Sequence, residues 1–202
     1  TGPHGWLILD KPRGLGSTQA VGAVKRVLRA GGHGKVKVGH GGTLDPLAEG
    51  VLPVALGEAT KLAGRMLDAS KTYAFTVAFG TQTATLDTEG EVVASSDHRP
   101  TMAGVEVVLP RFTGSIEQVP PAFSALKVDG RRAYDLAREG QAPVLMPRPA
   151  RVDRFEMISR PDADTAVFEV QSGKGVYMRS FARDLARAAG TVGHIAALRR
   201  LR

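Results

Sequence analysis

The segment 39–50 constrains this chain more than any other stretch, and it reads Gly-His-Gly-Gly-Thr-Leu-Asp-Pro-Leu-Ala-Glu-Gly. Four glycines in twelve residues allow backbone conformations and close approaches that side chains would block. The segment holds one aspartate, Asp45, and Pro46 biases the backbone of the preceding residue toward extended conformations. The pattern therefore predicts a loop that holds a carboxylate with little freedom and that another molecule can approach. By itself, an Asp-Pro pair among glycines is also the ordinary signature of a turn.

The charge and composition of the chain narrow its class. The 202 residues include 27 Lys and Arg against 20 Asp and Glu, a formal net charge of +7. Such an excess favours a polyanionic partner, first of all nucleic acid, although charge can also serve only to keep a protein in solution. The chain has no cysteine, which excludes disulfides, thiolate nucleophiles and Cys-ligated metals. We expect no metal site, because the five histidines show no metal-ligand spacing.

The apolar patterning predicts an α+β domain on a large, mainly antiparallel sheet flanked by helices and loops. Predicted strands cover residues 6–9, 51–56, 71–79, 112–119, 152–158 and 165–171. The first of these is a short apolar run typical of a buried strand. In the third, Tyr73, Phe75, Val77 and Phe79 share one face. The last two strands are expected to pair as antiparallel neighbours.

Helices and turns are predicted from periodicity and from candidate caps. Ser17 and Ser180 are predicted to cap two helices, and further helices are expected at 59–67, 102–109 and 131–139. Basic residues on the first helix predict a solvated face; they are Lys25, Arg26 and Arg29. Asp129 and Gly130 predict a tight turn, and residues 81–98 a hairpin. A phosphate-binding loop at 31–37 is excluded, because Val36 stands where that motif needs Ser or Thr.

Four motifs give the chain a resemblance that goes beyond composition. In chain order they are Leu9-Asp10-Lys11-Pro12 with Gly14 and Ser17, then the segment 39–50, then Pro120-Pro121-Ala122-Phe123-Ser124-Ala125-Leu126-Lys127, and last Gly173-Lys174-Gly175-Val176-Tyr177-Met178-Arg179. Together they span essentially the whole chain, which resembles the bacterial tRNA pseudouridine synthase B family, the tRNA pseudouridine-55 synthases. Gly41 stands where that family usually has threonine, and Glu49 where a small residue is common. Both differences concern local contacts and not the carboxylate.

The resemblance implies a pseudouridine synthase fold over residues 1–202, with nothing that corresponds to the family's C-terminal RNA-binding domain of the PUA type. It also implies a reaction that breaks the bond between uracil N1 and ribose C1′, rotates the base and rejoins it through C5. No redox step occurs and no water enters the product, so no cofactor is expected. Asp45 would act as a nucleophile on the sugar or as a base that removes a ribose proton, and both remain open.

The resemblance also assigns substrate-binding residues around Asp45. A uridine inside a folded RNA loop must be flipped out, and Tyr73 would stack on the flipped base; from pattern alone Tyr73 would more readily pack in the core. His40 would fill the space that the base leaves. Arg179 would supply a cation beside Asp45, although sequence alone would also fit a surface arginine at a helix start. Tyr177, in the same motif as Arg179, and Leu198, an apolar pocket residue, complete the set.

Two other functions fit parts of the sequence. A tRNA-binding folding chaperone would use the same basic surface without essential turnover. A glycosidase would need a second positioned carboxyl group, for which Glu49 is the nearby candidate. The expected partner in the main interpretation is the T-stem-loop of tRNA, with no protein partner and a monomeric protein. No apolar run approaches the length of a membrane span, and no secretory signal opens the chain, so we expect a cytoplasmic protein.

Overall fold

The computed structural model describes residues 2–124, 126–128 and 130–202. The chain divides into two compact units, unit 1 with Thr1–Ala74 and Ala197–Arg202, and unit 2 with Phe75–Ala196. The elements in chain order are β1 (Gly5–Lys11), α1 (Ser17–Ala30), β2 (Val38–His40), β3 (Glu49–Leu56), a 3-10 helix (Gly57–Leu62), α2 (Ala63–Asp68), β4 (Lys71–Phe79), β5 (Thr81–Thr83), β6 (Val92–Ser95), α3 (Met102–Glu106), a second 3-10 helix (Leu109–Phe112), β7 (Gly114–Gln118), β8 (Lys127–Val128), β9 (Arg131–Arg132), α4 (Ala133–Arg138), β10 (Arg148–Ser159), β11 (Thr165–Ser172), α5 (Met178–Ala188) and β12 (Gly193–Arg200).

Eight strands of the described residues form one mixed sheet, in the order β1-β3-β12-β4-β11-β10-β7 with β2 beside β3. Strand β3 pairs antiparallel with β1 and β2, and β10 pairs antiparallel with β11 and β7. The pairing between β3 and the end of β12 is parallel. The α+β class and the mainly antiparallel sheet are therefore confirmed. None of the helices in this part of the chain is long and apolar enough to cross a membrane.

In unit 1 the central strand is β3, whose residues Leu52, Val54 and Ala55 are fully buried. Its neighbour β1 was predicted as a buried strand, and this is wrong, since Leu7 is 39% and Ile8 63% exposed. The reason is topological: in the described sheet β1 is the end strand, beside β3, so part of its apolar surface is not covered by a second strand. An apolar run defines a strand more reliably than it defines the strand's place in a sheet.

The helices of unit 1 also depart from the predictions in detail. Helix α1 begins after Gly16, whose N–H donates to the Gln19 side chain at 2.8 Å, so Ser17 is not the cap. The charged residues of α1 are exposed, as predicted. Residues 59–67 do form helical turns, divided between a 3-10 helix and α2. Their apolar residues Leu62, Met66 and Leu67 are exposed, however, so that stripe does not face a core.

Unit 2 is built around a cluster of phenylalanine side chains. Phe75, Phe155, Phe168 and Phe181 come from β4, β10, β11 and α5, and their ring centroids lie 5.0–6.4 Å apart. Burying one such ring stabilises the fold by roughly 1.5–3 kcal/mol, and offset or tilted ring pairs add to that. The predicted buried face of β4 is confirmed for Phe75, Val77 and Phe79. The predicted antiparallel pairing of β10 and β11 is confirmed as well.

The second predicted cap is also wrong, because α5 begins at Met178 after the N-cap residue Tyr177. Ser180 lies inside the first turn, and its hydroxyl donates to the Val119 carbonyl at 2.7 Å. The hairpin predicted within 81–98 is confirmed by the antiparallel pairing of β5 and β6. Asp129 lies outside the described residues, while β8 and β9 on either side of it pair antiparallel.

Candidate active site

The aspartate of the glycine-rich segment begins a β-turn between β2 and β3. The carbonyl of Asp45 accepts the Ala48 N–H at 3.0 Å, with Pro46 at the second position of the turn. Leu44 and Leu47 on either side of the carboxylate are buried, while Asp45 itself is half-buried. The apolar anchors therefore fix the turn and leave the carboxylate at the surface of unit 1. The turn that the sequence predicted is the device that presents the carboxylate.

A serine far along the chain holds the residue before Asp45. The Leu44 N–H donates to Ser17 Oγ at 2.8 Å, and the Ser17 hydroxyl donates back to the Leu44 carbonyl at 2.9 Å. Both backbone groups of one loop residue are thus satisfied by one buried side chain, as buried polar groups require. The start of α1 is thereby fixed to the loop that carries Asp45.

A buried lysine lies under the same turn. Lys11 is 1% exposed, and its ammonium donates to the carbonyls of Pro12 at 3.0 Å and Leu15 at 2.5 Å and, at 3.5 Å, of Pro46. Burial lowers the pKa of Lys11, and the negative charges of Asp45 and Glu49 oppose that shift. The lysine of the first motif therefore both supports the turn and places a cation within electrostatic reach of Asp45.

An arginine on β12 supports the two ends of the loop. Arg200 is 2% exposed; its Nε donates to the Val51 carbonyl at 2.7 Å and its Nη2 to the Gly42 carbonyl at 3.2 Å. Strand register explains its place, since Arg200 and Lys11 both lie opposite Gly50 on the two sides of β3. Gly50 has a φ of +103°, and a Cβ there would lie 2.2 Å from the Arg200 carbonyl oxygen. Only glycine allows this approach.

His40 ends β2 and faces this cationic surrounding. Its Nδ1 accepts the Gly42 N–H at 3.4 Å, which requires the unprotonated form of that nitrogen. Burial, and next the positive charge of Arg200, lower the pKa of His40 from its ordinary value of 6.5. His40 is therefore neutral at pH 7, and protonation would remove the acceptor that the loop uses.

This neutrality predicts a pH dependence of stability. Because the folded-state pKa of His40 lies below 6.5, the unfolded chain binds the proton first as pH falls. We expect the free energy of unfolding to decrease as pH falls below about 6.5, relative to the variant His40→Gln, which keeps an acceptor but cannot titrate. Chemical denaturation of both proteins between pH 8 and pH 5 measures the difference. Parallel stability curves across that range would contradict the assignment.

Two further residues implied by the resemblance lie in unit 1. Leu198 is buried on β12, two residues before Arg200, so the two side chains share a face of that strand. Tyr73 is half-buried on β4, where the backbone of Thr72 pairs with Leu201 and Arg202 at 2.8–3.3 Å. The structure thus brings His40, Asp45, Tyr73 and Leu198 into one compact unit. The roles assigned to them stay predictions.

The unusual glycine of the loop has a structural reason. A Cβ on Gly41 would lie 2.7 Å from Cβ of Met66, a distance that real side chains do not tolerate. We expect Gly41→Thr to cost about 1–3 kcal/mol of stability through overpacking. Met66→Gly removes the Cβ that a residue at position 41 would meet, so the double variant should be more stable than the sum of the single effects, which a double-mutant cycle of unfolding free energies measures.

A matched control is Gly39→Thr, because a Cβ at Gly39 meets nothing within 4 Å. It should leave stability nearly unchanged. If Gly41→Thr and Gly39→Thr were equally stable, or if the effects of Gly41→Thr and Met66→Gly were simply additive, the coupling of Gly41 to Met66 would be refuted.

Unit 2 holds the other two residues that the resemblance implies. The backbone N–H of Tyr177 donates to Gln118 Oε1 at 2.8 Å, and the Tyr177 carbonyl accepts from Gln118 Nε2 at 3.1 Å. The buried amide of Gln118 therefore fixes Tyr177 in the same way that Ser17 fixes Leu44. Tyr177 itself is half-buried at the start of α5.

Arg179 is the second residue of α5 and is only 7% exposed, so the alternative of a surface arginine is wrong. Its Nη1 donates to the carbonyls of Thr85 at 3.2 Å and Phe123 at 2.8 Å. Phe123 belongs to the motif 120–127, and Arg179 therefore joins two of the four motifs within unit 2. A buried guanidinium with two backbone acceptors has a fixed direction.

Sequence reasoning missed a buried carboxylate, Asp87, which is linked to Arg179 through Thr85. Asp87 is buried, and its Oδ1 accepts from the Thr85 hydroxyl and, at 2.9 Å, from the Glu89 N–H. Leu86 between them has a φ of +64°, which is rare for a residue with a side chain. A polar, turn-rich segment gave no sign of this arrangement. In the described residues, no three His, Asp or Glu side chains form a group that could hold a metal ion.

Comparison with known proteins identifies relatives of this chain. Residues 25–178 match the family model described as TruB family pseudouridylate synthase (N terminal domain). The chain belongs to this family. It is similar to the tRNA pseudouridine synthase B of Gluconacetobacter diazotrophicus, with 60% identity over 198 residues. It is 61% identical over 202 residues to the protein of the same name from Novosphingobium aromaticivorans.

The chain spans less than two thirds of the length of these two relatives. Each alignment covers 98% of this chain but 63% of the Gluconacetobacter protein and 66% of the Novosphingobium protein. Among solved structures, the chain resembles one in the crystal structure of a Cbf5-Nop10-Gar1 complex, with a TM-score of 0.73 and 30% identity. That match covers 98% of this chain and 48% of the other. The pseudouridine synthase fold is thereby confirmed.

Proposed function

We propose that this chain is the catalytic part of an enzyme that isomerises uridine 55 in the T-loop of tRNA to pseudouridine. The observation that carries the proposal is the carboxylate of Asp45, presented on a β-turn that Ser17 and Lys11 fix. Relatives more than half identical to this chain are named tRNA pseudouridine synthase B, which supports the choice of substrate.

In this proposal Asp45 carries the reaction, either by attacking ribose C1′ or by removing a ribose proton. Both routes need the carboxylate form of Asp45, and the buried ammonium of Lys11 lies within electrostatic reach of it. Neutral His40 would fill the space left by the flipped uracil, since an uncharged ring can enter a base stack without a desolvation cost for charge. Tyr73 would stack on the uracil.

The remaining contacts to the substrate are proposed for Leu198, Tyr177 and Arg179. Leu198 offers an apolar surface to the uridine, and Tyr177 and Arg179 lie at the fixed start of α5. No step of this isomerisation needs a redox cofactor. We further propose that the protein acts on tRNA as a monomer in the cytoplasm.

Isotope labelling tests the reaction directly. Rejoining the base through C5 replaces the C5–H bond with a C5–C1′ bond, while N1 gains a proton from solvent. A tRNA transcript with deuterium at C5 of uridine should therefore lose one deuterium at one position, with no mass change in the unlabelled transcript. Mass spectrometry of nuclease fragments locates that position.

The same experiment separates the alternatives. A glycosidase would release uracil and leave an abasic fragment. A folding chaperone without turnover would leave the label in place although the RNA is bound. Either result would overturn the proposed isomerisation.

A further inference from the structure

The positive charge of this protein is concentrated in one stretch of unit 1. Between Asp10 and Asp45 the sequence contains no acidic residue and seven basic ones, and the formal net charge of the whole chain is also +7. Outside this stretch, the remaining 20 basic residues are balanced by 20 acidic ones. The net charge is therefore a local property of residues 11–44. A charge that served only solubility would have no reason to be confined to this segment.

The fold gathers part of this charge around one cleft. Lys25 and Arg29 project from the second half of α1, and Lys35 comes from the loop that follows it. All three are exposed, and together with Leu28, Gly34 and Val36 they line a small cleft. Exposure of a helix face is what ordinary solvation also predicts. Solvation alone does not predict that Lys35 lies at the same cleft, because this brings a third positive charge toward the other two.

No acidic side chain within the described residues offsets this repulsion. Lys25, Arg29 and Lys35 form no ion pair with an Asp or Glu side chain there, whereas Lys61, Arg151 and Arg154 each do. The negative end of α1 favours a cation in its last turn, where Arg29 lies, but the last carbonyls already accept backbone N–H groups. Val27 O accepts Gly31 N–H at 2.9 Å, and Leu28 O accepts His33 N–H at 3.0 Å. An anion in the cleft would relieve the repulsion among the three cations.

We propose that the cleft formed by Lys25, Arg29 and Lys35 binds phosphodiester groups of the RNA substrate. Three cations on two chain segments fit a run of phosphates along a strand, which a helix face alone would contact less completely. The proposal rests on the proposed function only for the identity of the RNA, which is a tRNA.

The position of the cleft sets which part of the RNA it reaches. Ser17 fixes the start of α1 to the loop that carries Asp45. Along a helix that rises 1.5 Å per residue, Lys25 lies about 12 Å and Arg29 about 18 Å from Ser17. The phosphates in the cleft therefore belong to nucleotides several positions away from the reacting uridine. The cleft contributes to RNA affinity and not to the chemical step.

The test compares two triple variants that lose the same net charge. The cleft variant is Lys25→Gln/Arg29→Gln/Lys35→Gln. The control is Lys61→Gln/Arg151→Gln/Arg154→Gln, which removes three exposed basic residues that already have acidic partners. An unmodified tRNA transcript is titrated with each protein at several salt concentrations. Circular dichroism melting checks that both are folded.

We expect the cleft variant to bind tRNA about 10–100-fold more weakly than the wild type near 0.1 M salt. The slope of log Kd against log salt should become shallower, by roughly 0.7–0.9 for each lost phosphate contact. The control should stay within a few-fold of the wild type. Equal losses in both variants, or an unchanged salt slope in the cleft variant, would overturn the proposal. Because binding is measured without turnover, a protein that binds RNA but makes no pseudouridine would overturn the proposed function alone.

Discussion

Asp45→Asn should reduce pseudouridine formation by at least about 10³-fold, because an amide is neither a useful base nor a nucleophile. The protein should remain folded. Asparagine suits the first position of the turn as well as aspartate does, and the Ala48 N–H bond to the residue 45 carbonyl is unaffected. Binding of tRNA should persist, since phosphate contacts lie elsewhere. Single-turnover assays at saturating tRNA measure the rate, with mass spectrometry to exclude deamidation back to aspartate.

Glu49→Gln is the matched control, because Glu49 lies four residues along and acts on the same buried lysine as Asp45 does. It removes the same charge from the surroundings of Lys11 and also weakens the 3.4 Å contact to Arg199. We expect its rate to stay within about tenfold of the wild type. A loss as large as that of Asp45→Asn would indicate a reaction that needs two carboxylates, and wild-type turnover by Asp45→Asn would remove Asp45 from the chemistry.

The parts that the sequence could predict are those set by neighbours along the chain. The alternation in β4 predicted a buried face at Phe75, Val77 and Phe79, since a period of two fixes which side chains share a face. The same local logic predicted the turn at Asp45 and Pro46. Ordered motifs then indicated the family, and the fold followed from it.

The parts that it could not predict depend on residues far apart in sequence. Ser17 was expected to cap α1, but its hydroxyl bonds to Leu44, 27 residues away. Gln118 holds Tyr177 across 59 residues, and Arg200 holds Val51 across 149. Capping and periodicity rules describe neighbours within a turn or two and cannot assign such partners. A single polar residue in the sequence does not indicate which distant backbone group its side chain will bind.

Burial was the other property that could be predicted only poorly from the sequence. Leu7 and Ile8 read as a buried run but lie exposed on a strand at the end of the sheet. Arg179 read equally well as a surface residue but is buried. In each case burial depends on the strand order or on the segment that packs against the residue, and neither can be deduced from the residue type. The supports of the candidate site therefore had to be read from the structure.

Arg179→Lys should yield a folded protein in which the chemical step is slowed by about 100-fold or more. The Arg179 guanidinium donates to the carbonyls of both Thr85 and Phe123 from a single nitrogen of its rigid planar fork. A lysine ammonium is a compact point charge on a flexible stem and cannot reproduce that geometry. If the lysine donates to only one of the two carbonyls, the other is left as an unpaired buried acceptor. That costs about 1–3 kcal/mol of stability. Thermal unfolding measures this structural part separately from the rate.

Arg183→Lys on the same helix provides the comparison that makes the result interpretable. Arg183 also donates to a backbone carbonyl, that of Val119 at 2.8 Å, and it pairs with Asp184 at 2.7 Å, so it serves a similar structural role. We expect Arg183→Lys to lose stability comparable to Arg179→Lys but to keep its single-turnover rate within a few-fold of the wild type. If the two variants lose similar stability but Arg179→Lys alone loses rate at saturating tRNA, the result would place Arg179 at the substrate. Equal rates for the two variants would reduce Arg179 to a residue that only joins Thr85 to Phe123.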